Sequence, residues 1–180
     1  MHGGKNKNRK LNRLSGFDYS SEKNYFVTIC VDRHQKYFGG IYNGVMCVNR
    51  LGAIVYRQWE WMQKQYPYIK SHAFIIMPNH VHAIVEINKN YINTNHCTDR
   101  SRPVPTDIVA NNNLKIKSLS ELMGAFKTTS SKIIHQNGFT EFKWQRSFYD
   151  HIIKNEKSFN YIYNYIIYNP AMWYRDRNNI

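Results

Sequence analysis

The 180-residue chain predicts a single α+β domain. Three observations carry that expectation. Strand-like and helix-like stretches follow one another as strand, helix, strand-turn-strand, helix, strand, helix. The apolar runs Phe74–Met77 and Val81–Ile87 flank a short turn at Pro78-Asn79 and read as a hairpin. Two longer stretches repeat apolar residues at helical spacing and begin at capping residues.

In order along the chain, residues 1–23 form a polar, basic arm carrying Lys5, Lys7, Arg9, Lys10 and Arg13. The domain proper is expected over 24–173. Tyr25–Val31 is β-branched and aromatic and reads as a buried strand. Ile41-Tyr42 and Val45–Val48 bracket Asn43-Gly44, a pair suited to a positive-φ hairpin turn. A helix is expected from Asn49, as cap, to about Tyr66, with Ile54, Val55, Trp59 and Met62 on its apolar face and Pro67 as its stop. Tyr68–Met77 is then the first strand of the organising hairpin.

Residues 88–117 are rich in Asn, Arg and Pro and read as a flexible insertion. Ser118 or Ser120 caps the next helix, striped by Leu119, Leu122, Met123 and Phe126 and ended by Asn137-Gly138. Its other face, Lys127 to Lys132, is basic and hydroxyl-rich, which suits phosphate contacts or simple solvation. Residues 142–153 give a strand with its approach. A last helix runs from about Asn155 to Tyr168 before Pro170, and residues 174–180 are a polar tail.

Composition narrows the function class. Lys plus Arg number 25 against 12 Asp plus Glu, a formal net charge of +13. That balance points to a polyanionic partner, and the 14 tyrosines tilt it towards nucleic acid, because aromatic rings stack on unpaired bases. The three cysteines, Cys30, Cys47 and Cys97, show no CxxC spacing, so no disulfide framework or zinc ribbon is expected. No apolar run is long enough to span a bilayer and no secretory signal opens the chain. A reduced, cytoplasmic, soluble protein is the expectation.

Chemistry concentrates at two places. On the second hairpin strand, Val81, Ala83, Val85 and Ile87 face one way and His80, His82, Ile84 and Glu86 the other. Residues two apart on a strand lie about 6.6 Å apart, so two imidazoles on one face can converge on one divalent ion. Two hydrogen-bonded histidines with no ion are the commoner outcome for a bare His-x-His. The last helix carries Tyr161, Tyr163, Tyr165 and Tyr168, then Asn169. Tyr165 and Asn169 are four apart and project together.

Met77-Pro78-Asn79-His80-Val81-His82 resembles the HUH motif of single-tyrosine nucleases. Trp144-Gln145-Arg146 through Glu156, followed by Tyr165 to Asn169-Pro170, resembles the REP-associated tyrosine transposases, relatives of insertion-sequence transposases that act on single-stranded DNA. The two blocks occur in the family's order, and the resemblance spans about Gly16 to Trp173.

This resemblance implies a ferredoxin-like antiparallel sheet with helices on one face. It implies Tyr165 as the nucleophile, at the family's spacing from Asn169-Pro170, and His80, His82 and Asn169 as ligands of Mg2+ or Mn2+. It also implies a single-stranded DNA hairpin as substrate and a 5′-phosphotyrosine intermediate, in a monomer or a homodimer. Candidate DNA contacts are Lys127, Lys132 and Arg146 for phosphates and Trp144 and Tyr149 for base stacking, the last two equally readable as core. Tyr161, Tyr168 and Tyr149 are rival nucleophiles, and His151 is a rival ligand. A hairpin-binding module without catalysis fits charge and aromatics equally well. A replication initiator or relaxase would use the same chemistry in a larger chain.

Overall fold

A computed structural model of the chain describes residues 16–94 and 115–179. The basic arm up to residue 15, most of the expected insertion (95–114) and Cys97 lie outside the described residues.

The elements are β1 (Lys23–Cys30), β2 (Gly39–Tyr42), β3 (Val45–Val48), α1 (Arg50–Gln65), β4 (Ile69–Met77), β5 (His80–Ile87), α2 (Tyr91–Thr94), α3 (Leu119–Gln136), β6 (Tyr149–Ile153) and α4 (Glu156–Tyr168). Strands β4-β5-β1-β6 form one antiparallel sheet in that order, and β2-β3 form a separate hairpin. Apart from the small hairpin, this is the ferredoxin-like succession of two strand-helix-strand halves.

Local chemistry sets the boundaries. Asn49 caps α1 by accepting from the backbone N–H groups of Leu51 and Gly52. Ser118 caps α3 in a reciprocal capping box with Glu121. Asn155 accepts from the Ser158 N–H at the start of α4. Asn43 and Gly44 take positive φ values of 50° and 75°, the turn that lets β2 and β3 pair tightly. The approach to the last strand is longer than expected. Residues 142–148 are mostly irregular, Trp144 pairs with Val31 in an isolated bridge, and β6 begins only at Tyr149.

The alternation on β5 holds. Val81, Ala83, Val85 and Ile87 enter the main core with Tyr25, Val27 and Ile29 of β1. Helices α1 and α3 cover this face and pack on each other, with Trp59, Met62, Leu122 and Phe126 between them and the sheet. Helix α4 crosses the opposite face over a small second core of Phe26, Ala73, Ile84, Ile153 and Ile166. The large core supplies the burial that stabilises the domain. The small one leaves the His80 end of β5 open to a helix carrying tyrosines.

Phe126 is fully buried between Trp59 and Trp144. Phe126→Ala is expected to cost about 3–5 kcal/mol, and Ser118→Ala about 1 kcal/mol through the lost cap. Urea unfolding of the two variants beside the wild type measures both, and equal costs would contradict the assigned core.

Candidate active site

The site is built on β5. His80 and His82 point away from the main core and are 0% and 1% exposed. Their Nε2 atoms lie 3.0 Å apart. Each ring is held through its other nitrogen, His80 Nδ1 by Asn79 Oδ1 at 2.8 Å and His82 Nδ1 by Thr28 Oγ1 at 2.8 Å. The Thr28 contact follows from register, since Thr28 pairs with His82 across β1 and β5.

The Asn79 network decides the His80 tautomer. Asn79 Nδ2 donates to two backbone carbonyls, of His34 at 3.0 Å and Asn178 at 2.7 Å. Its Oδ1 can therefore only accept, so His80 Nδ1 carries the proton and Nε2 presents a lone pair. The Thr28 hydroxyl can give or take a hydrogen bond and supports either tautomer of His82. Burial, then mutual repulsion, holds the His80 pKa well below its usual 6.5, and burial lowers that of His82. Both rings are neutral at neutral pH, the protonation state a metal ligand needs.

The opposite wall comes from α4 and the chain after it. Helix α4 ends at Tyr168, and Asn169 leads into a 3-10 turn over Pro170–Arg175. That turn brings Asp176 back under β5. Asp176 Oδ1 accepts from the Asn178 N–H at 2.6 Å, leaving Oδ2 aimed at the histidines. Oδ2 is 3.7 Å from His80 Nε2 and 4.0 Å from His82 Nε2, too far for hydrogen bonds, and the side chain is 1% exposed. Burial favours its protonation, but the His82 interaction and the Asn178 N–H outweigh that and keep the carboxyl below its usual 3.8.

Two buried oxygens at this wall, Asp176 Oδ2 and Asn169 Oδ1, have no hydrogen-bond partner. Buried acceptors left unpaired are costly. Two neutral imidazole nitrogens facing a carboxylate, all within 4.8 Å of one another, with an orphaned amide oxygen at the same wall, suit a divalent cation. Asp176 is the member that sequence reading missed. The tail read only as polar, and no spacing rule ties a residue after a helix to a strand ninety residues earlier.

Tyr165 lies at the mouth of this cluster. Its hydroxyl is 3.4 Å from His82 Nε2, and its ring meets Phe26 and His82 edge-on. Burial and the negative charge of Asp176 raise its pKa above 10, opposed by the Asn169 side-chain amide N–H as donor and by the charge of Arg177. Tyr161 is 76% exposed and Tyr168 64%, and neither has a described contact with the histidines. The structure brings His80, His82 and Tyr165 together, and Asn169 lines the same cleft as Tyr165 and Asp176.

The expected DNA contacts divide differently. Trp144 is core, packed at tilted and edge-on angles among Phe38, Phe126 and Phe142, with its Nε1–H donated to Ser130 Oγ at 3.0 Å. Lys127 spends its ammonium on the carbonyls of Gln145, Arg146 and Ser147, fixing the approach to β6. Lys132 and Arg146 line a shallow cleft beside α3 that shares no residue with the cleft at Tyr165. Tyr149 alone of the five lines the Tyr165 cleft. His151 lies at the same cleft but outside the His80–His82–Asp176 group.

No family model matches the chain. A protein of Haemophilus influenzae strain Rd, described only as uncharacterized, is 35% identical over 173 residues, covering 94% of this chain and 92% of that one. The chain belongs to that protein's family. The fold of this chain is similar to that of a REP-associated tyrosine transposase solved bound to a REP hairpin. That structure aligns with a TM-score of 0.56 and 16% identity over 89% of this chain and 72% of its own. A putative transposase from Deinococcus radiodurans R1 aligns with a TM-score of 0.45 and 12% identity over 86% of this chain and 95% of its own. The His80–His82 pair sits on a central strand, across from the helix bearing Tyr165. No described helix is long and apolar enough to cross a membrane.

The buried rings give a pH dependence with a defined sign. Their folded-state pKa values lie below 6.5, so as pH falls through that value the unfolded chain binds protons first and stability drops. Asp176, also depressed, adds the same sign below about 3.8. Urea unfolding in chelator between pH 7.5 and 4.5 should show this fall, and His80→Gln should flatten it.

Proposed function

We propose that this protein is a metal-dependent single-stranded DNA endonuclease and strand transferase, a transposase that cuts and rejoins DNA beside hairpins. The observation that carries the reading is the Tyr165 hydroxyl at 3.4 Å from His82, beside a buried cluster of two ring nitrogens and two unpaired oxygens. The fold shared with a hairpin-bound tyrosine transposase supports it.

His80, His82, Asp176 and Asn169 would hold the cation. When bound, a divalent ion there supplies positive charge against the developing negative charge on the scissile phosphate. Mixed nitrogen and oxygen donors suit Mn2+, and Mg2+ is the alternative. The chain's own residues do the rest. Phe26 and His82 hold the phenol ring at the mouth, so attack needs no large reorientation of the nucleophile. Tyr165 Oη forms a bond to phosphorus as the bond from phosphorus to the 3′-oxygen breaks. The phenol proton is lost and, in the balance, a proton ends on the leaving 3′-hydroxyl. The enzyme keeps the downstream strand as a 5′-phosphotyrosine. One phosphodiester replaces another, so attack by a second 3′-hydroxyl reverses the step and joins strands without an external energy source.

Hairpin-containing oligonucleotides drawn from DNA flanking the protein's own gene, incubated with Mn2+ and run on a denaturing gel, test the reading. The 3′-end label should migrate with the protein, and chelator or Tyr165→Phe should abolish the adduct while hairpin affinity stays within about twofold. Tight binding with no adduct on any strand would favour the binding module instead. Asn79→Ala, which frees His80 from its orienting amide, should weaken Mn2+ binding by about 10–100-fold in calorimetric titration. Unchanged affinity would remove the metal assignment.

A further inference from the structure

The cleft beside Tyr165 encloses about 900 Å³ and is larger than the attack itself requires. Its lining includes the aromatic and apolar side chains of Phe26, Tyr149, Tyr161 and Ile162. Its rim is cationic, with Lys157 and Arg177. Arg177 is the informative member. Its guanidinium sits 5.4 Å above the centre of the Tyr149 ring, and it pairs with no carboxylate among the described residues. Its neighbours in sequence are anchored on both sides, Asp176 under the histidines and Asn178 through its carbonyl to Asn79. An otherwise free cation is thus tethered over an aromatic face at the mouth of the site.

A planar aromatic face with an exposed cation resting on it is complementary to a flat ring attached to an anion, the ring taking the face and the anion the cation. Lys157 lies one helical turn before Tyr161, and Tyr161 one turn before Tyr165, so positive charge and aromatic surface run up to the nucleophile along one face of α4.

We propose that this cleft binds the unpaired nucleotide adjoining the scissile phosphate, its base taking the place of the exposed Arg177 guanidinium on the Tyr149 face and its phosphate held by the displaced Arg177. The inference rests on the strand-transfer reading for the identity of that phosphate. Tyr149 is placed for stacking by β6, whose register sets it opposite Thr28, the residue that orients His82. The base pocket and the metal cluster therefore share one strand pairing. Arg177 reaches the phosphate from the tail residue next to Asp176, so the chain after α4 serves both.

The test is an abasic scan of the single-stranded flank of a hairpin substrate, with affinity measured on the full chain in the Tyr165→Phe background. At one position next to the mapped cleavage point, removing the base should weaken binding about tenfold or more. Tyr149→Ala should cause the same loss, and the two changes together should cost no more than either alone. Tyr149→Trp should restore the base dependence, which a merely structural role for Tyr149 would not do. Arg177→Gln should weaken binding and lower the salt dependence by about one phosphate contact. Additive losses at every position, or coupling only at positions away from the cleavage point, would overturn the proposal. The adduct assay judges the enzyme reading separately. With no adduct but a single coupled abasic position in the flank, base stacking on Tyr149 stands while its assignment to a scissile phosphate falls with strand transfer. With an adduct and no coupled position, the reverse holds.

Discussion

The arrangement depends on two imidazoles buried with their Nε2 atoms 3.0 Å apart on a central strand. Neither ring can be left to find its own orientation. One hydrogen-bonded lock, Asn79 with its two carbonyl acceptors, dictates the His80 tautomer, and a second, Thr28, holds His82 through strand register. Both locks spend polar groups that β5 and its neighbours already bury, so the site is part of the sheet rather than an attachment to it. Rigid strands position such donors more tightly than loops do.

The division of the sheet's two faces follows. The α1 and α3 side holds most of the buried apolar side chains and can stabilise the domain without help from the site. The α4 side has a core of only a few residues, with Ile166 the buried contribution of the helix. A helix held so lightly leaves its tyrosines at the surface. The same lightness makes the chain after α4 necessary. Without Asp176 and Asn178 returning to β5, nothing would close the cluster beneath the histidines.

That return also settles which tyrosine stands at the site. Tyr161, Tyr165 and Tyr168 share one side of α4, but only Tyr165 falls where Phe26 and His82 line the helix path. Its half-buried phenol has a raised pKa, from burial first and then from the charge of Asp176. The proposed cation would sit beside it and give the unpaired Asp176 oxygen a partner.

Much of this was legible in the residues. The period-two pattern of β5 separates core from site without ambiguity, because one misplaced residue would bury both histidines in the main core. Asn49, Ser118 and Asn155 announce helix starts because their side chains satisfy N–H groups that a helix cannot pair itself. The motif blocks pointed to His80, His82, Tyr165 and Asn169. Other features were not legible, because they depend on distances no sequence spacing encodes. Lys127 looks like a phosphate contact until three carbonyls are found around its ammonium, and Trp144 looks like a stacking platform until Ser130 takes its N–H. Asp176 and Arg177 look like a solvated tail until a 3-10 turn carries them back to β5. Local pattern determined the elements and the histidine face. Only the folded chain, by closing contacts between residues as distant in sequence as Asn79 and Asn178, decided which charges complete the site.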